Sequence, residues 1–471
     1  MRSGRGMSSP MGGRRHPRSG DPPAFRVRLP GGMENTMRRL LTVVVVVLLS
    51  VTGMTAPVLA QPAGGDIRAR VAAVPGLRLL AERPGAPGQT VLDLAFRQPA
   101  DHHRPGRGSF EQRLTLVHKS FDRPMVLYSG GYDLGSSPQR PAEPSVLLDS
   151  NQITTEQRFF GTSRPATPDW STLTIWQAAS DHHRLITALK TLYRGPWIST
   201  GGSKGGMTAV YHRRFYPQDV VGTVAYAAPN NVDDRDDSAY DARLEEVGTA
   251  ECRAALKSAQ RQALLRREAM TERYGRWAEQ EKGTFRTIGS TDRAFELAVL
   301  RLPMMFWMHQ SAGGCASIPA ADASDDTLYA WIAGVTLLPV YTDQSLEEFT
   351  PYFHQLGTQL GYAQFSAPHL EGLLRHPGVQ EVRSYVPRDI PMTFEPGAMA
   401  DIDRWVRRQG SSLMFVNGEN DVAVAEPFRL GAGSRDSYVF EAPQGDHHIS
   451  IAGLRPAVAG RATAVLRRWA R

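Results

Sequence analysis

The chain has 471 residues, 41% of them hydrophobic, so it can bury a large core. That length is long for one α/β domain, and an insertion or a second domain is expected. The formal net charge of +7 comes from residues 1–60, which hold nine arginines against two acidic residues, and the remainder is formally neutral. Because this remainder, the body of the chain from residue 61 onward, is formally neutral, there is no electrostatic argument for a nucleic-acid partner.

Residues 1–60 have the features of a leader. A charged start at Met37–Arg39 precedes the apolar run Leu40–Val51, and Val58–Ala60 precedes Gln61. This pattern is typical of a secretory signal peptide, at about 37–60, that is cut after Ala60. About a dozen apolar residues are too few to span a bilayer comfortably, so we expect a secreted protein without stable membrane association.

The chain contains two cysteines, Cys252 and Cys315. In an exported protein an even pair favours a disulfide over two free thiols, although the sequence alone does not show that the two meet. No metal-site spacing accompanies them, so we predict no metal ion and no cofactor.

Strand and helix patterns alternate along the first part of the body, residues 61–240. Two alternating segments on either side of a turn-rich stretch predict antiparallel strands at a sheet edge, and later apolar runs predict buried strands joined by a crossover helix. The predicted strands are Thr90–Phe96, Gln112–His118, Pro124–Ser129, a segment from Ile153, the run from Trp197 and Gly222–Ala227, and the helix is Thr172–Leu192.

The pattern changes to helical from Asp241 to about Val386, which predicts a helical cap at 241–386. Residues 387–471 return to sheet, with strands at Ser412–Val416 and Ser437–Phe440 and a final helix from about Pro456 to Trp469. The fold class is therefore α/β, with the cap inserted between two halves of one sheet domain.

The stretch Trp197–Pro217 carries the chemistry. Its apolar run ends in G-G-S-K-G-G and passes directly into a helical segment, which is the strand, tight turn and helix of a nucleophile elbow. Ser203 is the predicted nucleophile. The N–H of Lys204 and that of Gly131 or Tyr132, after an earlier strand, are the predicted oxyanion-hole donors.

A catalytic acid and base are predicted after the last two strands. Asp421 lies in G-E-N-D and His447 in G-D-H-H, so the order is Ser, Asp, His, as in an α/β-hydrolase. A serine hydroxyl needs a nearby base, and the base needs a carboxylate to fix its tautomer. His448 competes with His447, which is preferred because it directly follows Gly445-Asp446.

These motifs resemble one superfamily of serine peptidases. F-R-Q-P-A-D-H from Phe96, E-Q-R-F-F-G-T-S from Glu156, L-T-I-W-Q-A-A-S-D from Leu173 and G-G-S-K-G-G occur in order. They are similar to the secreted bacterial tripeptidyl and prolyl aminopeptidases, which are related to lysosomal Pro-X carboxypeptidases. The resemblance implies release of short peptides, tripeptides among them, from the N-termini of peptide or protein substrates. It does not fix their length or the oligomeric state.

An enzyme of that kind must recognise the substrate ammonium group. Glu156 follows one central strand, and Asp233 and Asp234 open an acidic run after another, so we predict these three as substrate-binding residues on the side where Ser203 emerges. The alternative is a solvated turn, with Glu156 paired to Arg158.

Three other functions remain open. A Pro-X carboxypeptidase-like enzyme would require the opposite charge at the substrate terminus. A secreted esterase or lipase would use the same triad but usually has a more apolar lid. A catalytically silent binding protein on the same scaffold is disfavoured by an intact triad.

Overall fold

A nine-stranded sheet runs through the structure, a computed structural model that describes residues 66–135, 140–310 and 312–471. The predicted leader, signal peptide and cleavage site lie outside these residues. The strand order is β1-β2-β3-β5-β4-β6-β7-β8-β9. The strands are β1 Leu77–Arg83, β2 Thr90–Pro99, β3 Ser109–His118, β4 Met125–Ser129, β5 Asn151–Thr155, β6 Trp197–Gly202, β7 Gly222–Tyr226, β8 Leu413–Gly418 and β9 Tyr438–Ala442.

The first three strands pair antiparallel, and β3 also pairs antiparallel with β5. The six strands from β5 to β9 along the sheet are mutually parallel. Because parallel strands end at the same edge, the loops after β4, β6, β8 and β9 meet at one edge.

Helices cover both faces of the sheet. The α-helices are α1 Ile67–Ala72, α2 Glu143–Leu147, α3 Ile175–Leu189, α4 Lys204–Phe215, α5 Ser238–Glu246, α6 Ala250–Leu265, α7 Arg267–Glu281, α8 Thr291–His309, α9 Asp325–Thr336, α10 Asp343–Gln355, α11 Gly397–Gln409 and α12 Pro456–Trp469.

Alternation along the strands explains the two faces. Met125 and Leu127 of β4 share a buried cluster with Leu185 of α3, whereas Val126 shares another with Leu466 of α12. Successive strand side chains point to opposite faces, so the side chains of a fully apolar strand pack into the cores on both faces of the sheet. The result is a three-layer α/β-hydrolase fold.

The cap lies between β7 and β8 and is built from α5 to α10. Buried side chains of α6, α8 and α9, such as Leu256, Leu297 and Ile332, form its core, which is continuous with the core beneath α4. A disulfide joins Cys252 of α6 to Cys315, just after α8, with a Cα–Cα distance of 5.4 Å.

Four strands or α-helices outside the cap were not predicted: α1, β1, α2 and α11. β1 pairs with the outer side of β2, so the predicted hairpin of β2 and β3 lies one strand in from the sheet edge. Most of the β1 side chains are exposed, which weakens the apolar pattern of that strand. The crossover helix α11 precedes β8, and its buried Met399, Ile402 and Val406 are three and four residues apart, a helical signal that sequence reasoning missed.

Candidate active site

Ser203 lies on the turn between β6 and α4. Its backbone has φ 53° and ψ −126°, and its N–H donates to the Tyr226 carbonyl at 2.8 Å. A side chain on Gly205 would come within 2.0 Å of the Ser129 carbonyl oxygen, and one on Gly201 within 2.4 Å of Gly205. Only glycine allows the helix to approach the strands this closely, which holds the serine at the start of the helix.

Asp421 and His447 are joined by a hydrogen bond of 2.7 Å between Oδ2 and Nδ1. Asp421 is buried after β8 and also accepts from the Ala423 N–H at 3.0 Å. The His447 N–H donates to the Met308 carbonyl at the end of α8, at 3.2 Å. The second histidine, His448, instead faces the cap.

The electrostatics of this pair favour a basic imidazole. Burial lowers the pKa of His447, but the Asp421 carboxylate and its hydrogen bond raise it, and the net shift is upward. With Nδ1 held by Asp421, Nε2 is the nitrogen left to accept a proton. Among the described residues no hydrogen bond links Ser203 Oγ to the ring, and such bonds often tighten only when substrate binds.

His309 and His448 form a second histidine contact beside the pair, with 3.1 Å between Nδ1 and Nε2. Burial, and then His447 and His448, lower the pKa of His309 to about 4. The end of α8 therefore contacts both residues of the histidine loop, a link from cap to site that sequence reasoning missed.

The loop after β4 carries both residues that were predicted as the second oxyanion donor. The Gly131 N–H donates to Ser129 Oγ at 3.2 Å, which leaves Tyr132 as the better of the two predicted residues. In the described part of the chain, the N–H groups of Tyr132 and Lys204 donate to no protein acceptor. The first N–H groups of a helix have no partner within it, so Lys204 is free for an oxyanion.

Glu156 does not face an open site. It is buried, and its carboxylate accepts from the N–H groups of Leu134, Thr162 and Ser163 and from Ser163 Oγ, at 2.7–3.1 Å. Glu156 therefore organises the loop after β5, and its predicted ammonium role has no geometric support. The alternative pairing with Arg158 is also wrong, since Arg158 binds Asp181.

Asp233 and Asp234 occupy different environments. Asp233 is exposed and pairs with its neighbour Arg235 at 3.0 Å. Asp234 is half-buried and accepts from the Tyr362 N–H at 2.5 Å. Two further carboxylates continue this row, with Asp237 accepting from Gln364 N–H at 3.1 Å and Asp241 from Ser366 N–H at 2.9 Å.

Three half-buried carboxyls, Asp234, Asp237 and Glu426, form what we call the acidic group. Burial raises the pKa of each of them, and that of Asp237 to about 6. None is in an ion pair with another described residue, and Asp237 Oδ1 is buried without a hydrogen-bond partner there. The carboxylates of Glu426, Asp237 and Asp421 all raise the pKa of Tyr240, after burial, so two members of the acidic group and the predicted triad carboxylate act on one tyrosine.

An aromatic cluster adjoins the oxyanion loop. The Tyr132 ring contacts those of Phe160, Phe349 and Tyr352 with centroids 5.3–6.0 Å apart. Phe349 and Tyr352 belong to α10 of the cap, so cap and sheet domain together form this wall.

The described residues contain no group of three or more His, Cys, Asp or Glu side chains placed to hold a metal ion. None of their helices is both long and apolar enough to cross a bilayer.

A serine on an elbow, a His–Asp pair after later parallel strands and two free N–H groups define a serine hydrolase of α/β-hydrolase fold. The family described as PS-10 peptidase S37 matches residues 60–471. The chain therefore belongs to peptidase family S37, and it is a serine peptidase.

The chain is also similar to individual known proteins. The chain is 51% identical over 407 residues to the prolyl tri/tetrapeptidyl aminopeptidase of Streptomyces mobaraensis, covering 86% of this chain and 85% of that protein. It is 38% identical over 159 residues to the lysosomal Pro-X carboxypeptidase of Mus musculus, covering 29% and 32%. A solved proline iminopeptidase from Mycobacterium smegmatis is 15% identical, with 80% and 98% covered and a TM-score of 0.38.

Proposed function

We propose that this protein is a secreted serine exopeptidase that releases tripeptides or tetrapeptides from free N-termini through an acyl-enzyme. The observation that carries the proposal is the 2.7 Å bond from His447 to Asp421, on the sheet edge where Ser203 emerges. The activity in the name of the Streptomyces mobaraensis relative supports the direction and the product length.

The reaction has two balanced halves. Ser203 Oγ bonds to the scissile carbonyl carbon while His447 Nε2 takes its proton, and the new oxyanion accepts from the N–H groups of Tyr132 and Lys204. The C–N bond then breaks as His447 returns the proton to the leaving amine, and an ester to Ser203 remains. Water then attacks the ester carbonyl carbon while His447 takes its proton. The bond to Ser203 Oγ breaks as His447 returns the proton to that oxygen, and the N-terminal peptide is released.

Recognition of the free N-terminus is assigned to the acidic group. Its carboxyls form no ion pair with another described residue, and the charge of Arg429 offsets only part of the effect of burial on the pKa of Glu426. An incoming ammonium would therefore neutralise charge that burial has made costly. The sequence-based assignment moves accordingly from Glu156 and Asp233 to Asp237 and Glu426, with Asp234 retained. We further propose that the aromatic wall around Tyr132 accepts proline before the cleaved bond, since flat rings suit an apolar ring.

Export is proposed from the signal-peptide pattern at 37–60 and is supported by the disulfide, a bond that persists in oxidising compartments. Cleavage after Ala60 would leave the segment matched by the family almost whole.

The test compares three forms of one peptide: free, N-acetylated and C-amidated. Acetylation removes the ammonium and should abolish cleavage, whereas amidation should change little. The opposite result would place the enzyme in the carboxypeptidase branch, and cleavage of all three would indicate an endopeptidase.

Variants localise the ammonium site. Asp237→Asn and Glu426→Gln should each raise KM about 10-fold or more, because a charge-assisted hydrogen bond contributes about 1.5–3 kcal/mol. Asp236→Asn is the matched control, since Asp236 is exposed in the same loop and accepts from the Ser238 N–H. An unchanged KM in both test variants would exclude the acidic group.

A further inference from the structure

The side chain of Lys204, the residue after the nucleophile, is buried at 1% exposure. Its Nζ donates to the Gly131 carbonyl at 2.5 Å and to Gln157 Oε1 at 2.8 Å. It lies 4.9 Å from the centroid of the Phe160 ring and 5.4 Å from that of Tyr132. No carboxylate among the described residues forms an ion pair with it.

This arrangement is unfavourable for stability alone. Burial lowers the pKa of Lys204 well below its ordinary value, because the ammonium has lost its water without gaining a counter-ion. An apolar side chain would fill the same space without that penalty. The position therefore requires a donor that reaches the Gly131 carbonyl.

The Gly131 carbonyl belongs to the same peptide unit as the Tyr132 N–H. The described chain has no cis peptide bond, and in a planar trans unit C=O and N–H point in opposite directions. A donor that fixes the carbonyl therefore also fixes the direction of the N–H. The next carbonyl, that of Tyr132, is held by the Gln157 N–H at 2.9 Å, so both peptide units flanking Tyr132 are anchored.

We propose that Lys204 is a positioning residue whose side-chain Nζ, by donating to the Gly131 carbonyl, aims the Tyr132 N–H at the oxyanion. Lys204 then contributes to the oxyanion hole in two ways, through its own backbone N–H and through its side chain. The inference rests on the proposed function, because it requires that Ser203 and the two N–H groups perform acyl transfer.

The anchoring continues into the cap. Gln157 Nε2 donates to Gln355 Oε1, at the end of α10, at 3.1 Å. A buried line of hydrogen bonds thus runs from the cap through Gln157 and Lys204 to the oxyanion loop. Cap placement and oxyanion geometry are coupled through these three side chains.

The test variant is Lys204→Met, which keeps the length and apolar stem of the side chain and removes the donor. Loss of one oxyanion donor costs about 10²–10³-fold in kcat, so we expect a fall in this range with KM within about 3-fold of wild type. Affinity for a peptide boronic acid, whose tetrahedral adduct places an oxygen in the hole, should fall in parallel. All rates are divided by the fraction of sites titrated with a fluorophosphonate.

Thr336→Val is the matched control. Thr336 is buried at the end of α9 and donates to the Ile332 carbonyl at 2.8 Å, without touching Gln157 or the Gly131 carbonyl. We expect near wild-type kcat from it. A Lys204→Met enzyme that keeps kcat per titrated site within about 3-fold overturns the inference, because a purely structural role lowers the titrated fraction and not the turnover.

Two measurements separate this inference from the proposed function. If Ser203→Ala remains active, the proposed function fails first. If Lys204→Met does not fold, the crystal structure of the wild-type boronate adduct decides. A boronate oxygen within 3.5 Å of the Tyr132 nitrogen, with Nζ still on the Gly131 carbonyl, supports the inference, and an oxygen bound elsewhere overturns it.

Discussion

The buried pair Arg158–Asp181 offers a measurable test of how the site loops are held. Arg158 is fully buried and donates from Nε and Nη2 to both Asp181 oxygens, at 2.6 and 2.8 Å. Its remaining donors reach the carbonyls of Pro99, Ala100 and Thr172 at 2.9–3.4 Å. The pair therefore ties the loop after β5, which carries Gln157, to the β2–β3 hairpin and to α3.

Asp181→Asn leaves the arginine charge buried without its counter-charge. Removal of one partner from a buried pair costs about 3–5 kcal/mol. For about 400 folded residues with an unfolding entropy of about 2.1 cal/mol/K each, this corresponds to a Tm lowered by about 4–6 °C. Differential scanning calorimetry at pH 7 measures it.

The control is Glu111→Gln, which breaks the exposed pair with Arg78 and should cost less than about 1 kcal/mol. An Asp181→Asn enzyme that melts within about 1 °C of wild type would refute the reasoning.

The stabilisation from Asp181 also depends on pH. Burial raises the pKa of Asp181, but Arg158 and His102 lower it overall, so its stabilisation is present above the unfolded pKa of about 3.9 and is lost as pH falls through the lower folded value.

The remaining predictions concern catalysis and the cap. Ser203→Ala should lose about 10⁴-fold or more in kcat and resist fluorophosphonate labelling, while its Tm stays unchanged; a tenth of wild-type activity would contradict this. His447→Ala should match the serine variant, and His448→Ala should lose far less, because only His447 bonds Asp421; the reverse order would move the base by one position. Since the pKa of His447 is raised, kcat/KM should fall as pH drops through a value above about 6.5, where the imidazole gains a proton. Reduction of Cys252–Cys315, which closes a 63-residue separation, should cost about 4 kcal/mol, and two titratable thiols in the unreduced unfolded protein would contradict the bond.

The sequence was most informative where one constraint determines a residue. The elbow glycines are required because a Cβ on Gly205 would lie within 2.0 Å of a backbone oxygen, so G-G-S-K-G-G predicted both the turn and the strand and helix around it. The buried strands were equally predictable from the sequence, because β4 and β8 are apolar on both faces. Edge strand β1 was not, since its side chains are mostly exposed.

The placement of carboxylates was harder to predict. Glu156 and Asp237 have the same charge and both follow central strands. Yet Glu156 is bound by three donors of its own loop and one from the loop after β4, whereas Asp237 keeps a buried oxygen free. That difference depends on loop conformation and on residues 362–366, more than a hundred positions away. The orientation of the Lys204 side chain was also not predictable, because the residues around it in the sequence do not indicate that it turns inward to Gly131.

The most direct test of the central claim is the product of a single peptide. A synthetic peptide with a free N-terminus and proline at position three is incubated with wild-type enzyme and with Ser203→Ala, and the products are followed over time by mass spectrometry. We expect the wild type to release the intact N-terminal tripeptide as the first product and the variant to release none. First release of a C-terminal residue, of single N-terminal residues, or of the same tripeptide by the variant would contradict it.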